Sequence, residues 1–299
     1  MMFKTLFFIF ALALTPKSAI SAVNARWLTV TAVAIDDGKT RLLFDPAWTR
    51  PGLRHVTGIS KLVSDEALVK SVLEKNQLTK LDAVFASHSH FDHVIDAPMA
   101  AKLGSGIFYV DESSERIAKA YKDPAIKTQR YKAEEKIKVG DFTITPFTRE
   151  HAKILHMFAF LPGPVPEDCS LSFFDYHEGE TWFYLVEHPE GVILVDQGSK
   201  AHPEVLKKHA KKVDVLFQGI ANRKNDEDII DGHAKTYQPK IFVPLHFDNF
   251  FKDFNDGDWS ELPGANLDDI LAKVKKAYPT MQVDRPQYGK PITVLEVKR

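Results

Sequence analysis

Apolar positions along the chain fall into short alternating runs separated by polar turns, with amphipathic segments between them. Residues 27–35 alternate and are rich in β-branched side chains. A turn at Asp36-Asp37-Gly38-Lys39 follows, then Arg41-Leu42-Leu43-Phe44, so the pattern predicts a hairpin. Residues 65–77 carry a helical period, residues 82–86 read as a short buried strand, residues 95–103 as a helix and residues 107–110 as a strand. A second β-rich stretch covers residues 127–150, with a turn at residues 138–142. Residues 155–180 are irregular, and Pro162, Pro164 and Pro166 forbid regular structure there. Two runs flanking His188-Pro189-Glu190-Gly191 predict another hairpin. Helices are expected at residues 203–212, 226–237 and 266–278, and strands at residues 213–218, 240–244 and 291–297. Strands and helices mix in both halves and no linker divides them, which predicts one layered α/β domain.

The first 25 residues have a different pattern. Lys4 precedes an apolar run at residues 6–14, and Pro16 and small residues follow. This is the order of a secretory signal peptide. The run is shorter than the roughly 20 residues a membrane span needs. Val23-Asn24-Ala25 offers one cleavage site and Ala19-Ile20-Ser21 another. The expectation is a signal peptide over residues 1–25 and one domain over residues 26–299, exported to the periplasm or secreted, with no membrane span in the mature chain.

Composition narrows the functions. Apolar residues make up 44% and charged residues 26% of 299, so the chain can build a core and is not a disordered type. Lys plus Arg is 39 against 40 for Asp plus Glu, a balance that gives no support for a nucleic-acid partner. The single cysteine, Cys169, excludes an internal disulfide and a thiolate zinc site. The twelve histidines, by contrast, are not evenly scattered.

Ser87-His88-Ser89-His90-Phe91-Asp92-His93 lies just past the strand predicted at residues 82–86. Alternate side chains of an extended segment point the same way, so His88 and His90 can grip one cation together. A turn at Phe91 then presents Asp92 and His93 to a second cation nearby. Imidazole and carboxylate suit zinc and related divalent metals. Four ligands do not complete two sites. His151, Asp196 and His246 each end an apolar strand, where α/β sheets place their ligands.

His-x-His-x-Asp-His, then a lone His, a strand-end Asp before Gly and a late His resemble the metallo-β-lactamase superfamily. The resemblance implies a four-layer αββα sandwich with the metals at the edge between two sheets. It implies that His88, His90 and His151 hold one metal, that Asp92, His93 and His246 hold the second, and that Asp196 bridges them. The hairpin ending Leu43-Phe44-Asp45-Pro46 resembles the branch of L-ascorbate-6-phosphate lactonase and N-acyl-phosphatidylethanolamine phospholipase D. Asp45 is then a carboxylate at the edge of the site, or simply the start of an Asp-Pro turn.

The implied function is a dinuclear metal-dependent hydrolase acting on a small molecule. A hydroxide bridged by two divalent metals, Zn2+ in the first place with Mn2+ or Fe2+ compatible, attacks an ester, lactone or phosphodiester. Asp92 and Asp196 are the catalytic carboxylates. A β-lactamase-like amide hydrolase and a non-catalytic metal-binding protein of the same fold are the alternatives. Arg223, in a loop after the strand at residues 213–218, is either an anion grip or a solvated cation. The apolar residues 155–161 are either core or a wall over the site. His233 reads as a surface residue, and His156, His177, His188, His202 and His209 as ordinary. Oligomeric state is not fixed by the sequence.

Overall fold

Period-two alternation in the apolar runs sends successive side chains to opposite faces. Leu42 and Phe44 therefore join one apolar cluster and Leu43 another, and Ala83 and Phe85 separate from Val84 in the same way. The computed structural model describes residues 22–151, 160–198, 200–209, 212–221, 223–255 and 257–296. The first sheet holds β1 (Val23–Trp27), β2 (Val33–Asp36), β3 (Arg41–Phe44), β4 (Ala83–Phe85), β5 (Ile107–Val110) and β6 (Thr128–Arg130). The second holds β7 (Ile137–Val139), β8 (Phe142–Arg149), β9 (Thr181–His188), β10 (Gly191–Asp196), β11 (Val215–Gly219), β12 (Ile241–Leu245) and β13 (Gln282–Val283), and β14 (Pro291–Leu295) returns to the first.

The strand orders are β14-β1-β2-β3-β4-β5-β6 and β13-β12-β11-β10-β9-β8-β7. Each sheet is antiparallel over one half and parallel over the other: β3, β4, β5 and β6 pair in parallel, as do β10, β11, β12 and β13. One apolar cluster fills the space between the sheets and continues under helix Leu267–Ala277; the other lies between the first sheet and helices Glu66–Lys75 and Ala97–Gly104. This is the layered α/β domain the sequence pattern predicts, in the four-layer form the family resemblance implies. Among the described residues no helix is long and apolar enough to cross a membrane.

Two local departures bear on function. The alternating run at residues 27–35 is not one strand. It breaks into β1 and β2 around a tight turn in which Thr29 (φ 80°) and Val30 (φ 46°) are left-handed. That conformation is costly for β-branched residues, so the surrounding contacts must hold it. They come from the far side of the chain: the Val30 N–H donates to Asp248 Oδ1 (2.8 Å), and the Val30 carbonyl accepts from the His246 N–H (2.8 Å). Residues 1–21 of the expected signal peptide lie outside the described residues, and the boundary at Ala25 falls inside β1. Helix Glu112–Ala120, capped by Asp111 and Ser114, is an element the sequence reading left out.

The segment after β3 is pinned by Asp96, which is fully buried. Its carboxylate accepts from the Trp48 N–H (2.6 Å), the Thr49 N–H (2.8 Å), Thr49 Oγ1 (2.7 Å) and Ser64 Oγ (2.6 Å). Asp96→Ala strands these donors and should lower the free energy of unfolding by about 3 kcal/mol in urea titration; a loss below about 0.5 kcal/mol would contradict this anchoring role.

Candidate metal centre

The loop leaving β4 carries the histidines, and the second sheet grips it. The Trp182 N–H donates to the Ser87 carbonyl (2.7 Å), Tyr184 Oη donates to the Ala86 carbonyl (2.7 Å), and the Ser89 N–H donates to the Glu178 carbonyl (3.0 Å). These bonds hold the bends at residues 87–90 that lead into the single helical turn Phe91–Val94. His88 and His90 then share a face, while Asp92 and His93 turn toward β12.

Two groups of donors result. One atom from each of His88, His90 and His151 lies within 4.8 Å of the others, and the same holds for Asp92, His93 and His246. His88 Nε2 is 2.9 Å from His90 Nδ1 and 3.1 Å from His151 Nε2. Asp92 Oδ2 is 3.4 Å from His246 Nε2 and 3.7 Å from His93 Nε2.

The outer edges of two rings decide which nitrogen faces inward. His90 Nε2 lies 2.8 Å from the Phe160 carbonyl, which can only accept, so this nitrogen carries the proton and Nδ1 turns its lone pair to His88. His93 Nδ1 lies 3.0 Å from Asp45 Oδ2, which frees Nε2 on the Asp92 side. Asp45 itself is fixed by the Ser87 N–H and by Ser87 Oγ (2.8 Å).

Burial first, and then the neighbouring imidazoles, hold His88 well below the usual histidine range. Burial likewise lowers His90 to about 4, against the pull of Asp92 and the Phe160 carbonyl. For His93, burial lowers the pKa but the Asp92 and Asp45 carboxylates outweigh it and the net shift is upward. Burial pushes Asp92 up, yet His93 and His246 outweigh it and hold the carboxyl below its ordinary range. At neutral pH His88 and His90 are therefore neutral and Asp92 is ionised, while the two carboxylates favour a proton on His93.

That donor set fits a divalent cation. Arms of about 2.1 Å in tetrahedral geometry put neighbouring donors about 3.4 Å apart. The nitrogens around His88 converge at nearly that spacing, so one cation could take a lone pair from each ring. Buried His246 Nδ1 makes no hydrogen bond among the described residues.

Asp196 lies outside both groups. It is wholly buried at the end of β10, and its Oδ1 receives Arg149 Nη1 and the Gly198 N–H (3.0 Å). Asp196 Oδ2 has no hydrogen-bond partner among the described residues and stands 3.6 Å from His233 Nε2. Arg149 was not singled out from the sequence. It stands two residues before His151 on an extended segment, so both share a face, and that spacing is the signal that could have found it. Its side chain is 1% exposed and borders a space of about 30 Å³ with His88, His93, His151 and His246, room for about one water molecule. A Cβ on Gly198 would fall 1.2 Å from Arg149 Cζ, so only glycine leaves room for the guanidinium.

Other expectations are corrected. Arg223 is no anion grip: it spends Nε on Asp226 (2.7 Å) and Nη1 on the carbonyls of Ile220 (2.9 Å) and Ala265 (2.8 Å), and it borders neither cavity at the cluster. His233 is fully buried rather than a surface residue, because its Nδ1 bonds the Asp228 carbonyl (2.8 Å) and its ring packs beside Asp196. Residues 155–159 and Asn222 lie outside the described residues; Phe160 lines the cavity over the histidines. A third group, Asp37, Asp141 and His188, also has its donors within 4.8 Å. There the Glu190 N–H donates to His188 Nδ1 (3.2 Å), so the neutral ring carries its proton on Nε2, facing Asp37 Oδ2 at 3.6 Å. That arrangement is a polar contact between hairpins of the two sheets.

Residues 40–246 match the family described as beta-lactamase superfamily domain, a span that holds all seven expected ligands. A UPF0173 protein of Pyrococcus abyssi is 23% identical over 215 residues, 71% of this chain and 87% of its own. Igni18, a metallo hydrolase from Ignicoccus hospitalis, superposes with a TM-score of 0.61 at 16% identity, covering 93% of this chain and 100% of its own. YhfI, a metallo-beta-lactamase fold protein from Bacillus subtilis, superposes with a TM-score of 0.59 at 13% identity, covering 91% and 99%.

Removing the carboxylate behind His93 tests the geometry. Asp45→Ala should weaken zinc binding at the Asp92, His93 and His246 group by about 10- to 100-fold in chelator-competition titrations, and leave the other group unchanged. Unaltered affinity at both would show that Asp45 does not orient His93.

Proposed function

The chain belongs to the beta-lactamase superfamily, and from that premise we propose that this metal-dependent hydrolase holds two divalent cations and cleaves an ester, lactone or phosphodiester of a small molecule. One observation carries the reading: two three-donor groups stand side by side in one cleft, one built from imidazoles alone and one from two imidazoles and a carboxylate. Divalent cations bound there would supply a water activated near neutral pH and would polarise the oxygen of the scissile group. Zinc is the first choice for this donor set, with manganese and iron compatible.

The chain's own residues position everything else. Asp45 keeps the His93 proton on Nδ1, and the Phe160 carbonyl keeps the His90 proton on Nε2. Asp92, whose Oδ2 lies between His93 and His246, is proposed as a ligand first and as the carboxylate that would orient the attacking water or carry a proton to the leaving group. Asp196 is proposed as the seventh ligand, and its free Oδ2 supports this. Arg149 holds the other oxygen and so fixes the carboxylate's orientation.

We also propose that the chain is exported and cleaved after Ser21. What supports this site over Ala25 is β1: Val23 and Ala25 are buried, both pair with β14 and Ala25 also pairs with β2, so cleavage after Ala25 would remove three of the strand's five residues. The exported protein should begin at Ala22 by N-terminal sequencing; a start at Arg26 or an intact Met1 would overturn the proposal.

For the hydrolase reading, the test is turnover of a panel of lactones, esters, phosphodiesters and β-lactams by zinc-loaded protein. Chelation should abolish turnover and zinc restore it, and His88→Ala should lower it by roughly 100-fold or more while reducing bound zinc. Turnover indifferent to chelation would contradict the reading, and β-lactam turnover alone would favour an amide hydrolase.

A further inference from the structure

Over the two donor groups opens a cavity of about 550 Å³, within the range of sites that bury drug-sized ligands (about 300–1,000 Å³). Its floor is the six side chains already described. Its walls are Phe91, Phe160, Phe250, Phe251, Leu262 and Pro263, with Asn249 as the one further polar side chain. The rings form a continuous surface: Phe250 and Phe251 lie 4.6 Å apart between centroids, and each is 6.0 Å from Phe91. Phe250 packs on ligand His246 at 5.2 Å, and Phe160 on ligand His90 at 5.7 Å. The apolar wall and the donor groups are thus one structure.

Charge is distributed just as unevenly. Among the described residues no lysine or arginine lines this cavity. Arg50 and Lys252 line a separate cavity of about 320 Å³ that shares only Asn249 with it, and Arg50 commits Nη1 to the Ala47 carbonyl (2.8 Å) and Nη2 to Thr29 Oγ1 (3.2 Å). Phosphate or carboxylate recognition by protein calls for fixed cations or guanidinium forks, and the described wall residues provide none. Phe251 is 55% exposed at the rim, an apolar surface that a bound apolar group would cover.

Resting on the hydrolase reading above, we propose that the substrate is an uncharged ester or lactone with an apolar acyl arm, seated against Phe250 and Phe251 with its carbonyl over the histidines. Water adds to the acyl carbon and the acyl C–O bond breaks. One proton of the water goes to the leaving alkoxide, giving the alcohol, and the acid product releases the other to solvent. The phenylalanines take no part in these bonds; they select the acyl arm by burying it.

The experiment compares zinc-loaded protein on p-nitrophenyl acetate, butyrate, hexanoate and octanoate, and on bis(p-nitrophenyl) phosphate. kcat/KM should rise about three- to fourfold for each methylene until the cavity is filled, and every ester should exceed the phosphodiester. The double variant Phe250→Ala/Phe251→Ala should flatten the chain-length slope without changing zinc content, which separates loss of the wall from loss of the centre. A phosphodiester turned over faster than all the esters overturns this proposal and leaves the hydrolase reading standing. If nothing is hydrolysed the hydrolase reading fails, and calorimetry still decides the apolar site: octanamide should bind more tightly than acetamide and phenyl phosphate, and lose that margin in the double variant. Phenyl phosphate binding as tightly as octanamide overturns it.

Discussion

Imidazole nitrogens converging in a buried space set the terms for the rest of this molecule. Around His88, nitrogens meet at 2.9 and 3.1 Å, and burial keeps His88 and His90 unprotonated at neutral pH. His88 Nε2 can there donate to a neighbouring ring or give its lone pair to a cation, provided the scaffold keeps the rings this close. Here the scaffold enforces it from behind. The Phe160 carbonyl fixes His90, Asp45 fixes His93, and the Val30 carbonyl holds the backbone of His246. The first two contacts also make the cluster ready for a metal, because in the neutral ring each draws the proton to the outer nitrogen and leaves the inner one a lone pair.

The two-sheet architecture brings those contacts to one edge. Parallel pairing aligns the C-terminal ends of β3 and β4 in one sheet and of β10, β11 and β12 in the other. Asp45, the histidine loop, Asp196 and His246 therefore emerge together. Left-handed residues occur at the same edge: Thr29, Val30, Asp45 and His246 all have positive φ. A β-branched pair in a left-handed turn persists only where its surroundings over-determine it. Asp248 and His246 supply that constraint, so the turn that splits β1 from β2 also seats a ligand.

Much of this was legible in the sequence. The histidine motif, the three strand-end candidates and the layered α/β class needed only spacing and periodicity. Three features were not legible, for distinct reasons. The break at Thr29-Val30 is hidden because a β-rich run gives no local sign of a turn stabilised by residues more than 200 positions away. Arg149 was overlooked because a strand-end arginine reads as solvated; only its place two residues before His151 hinted otherwise. His233 read as a surface residue because its polar neighbours dominate the local pattern, whereas Asp196 and the Asp228 carbonyl draw the ring inside. Arg223 erred the other way: a loop cation near the expected edge turned out to tie its own loop to Asp226 and Ala265.

The phenylalanine wall gives the centre a dry side, and Asn249 and the donor groups give it a polar one, so chemistry and selection divide along one boundary. Everything in this account depends on two distinct cation positions at the sheet edge. Anomalous scattering at the zinc edge from crystals of zinc-loaded protein measures them directly. Two peaks are expected, one among His88, His90 and His151 and one among Asp92, His93 and His246. A single peak shared by both groups, or zinc bound elsewhere, would contradict it.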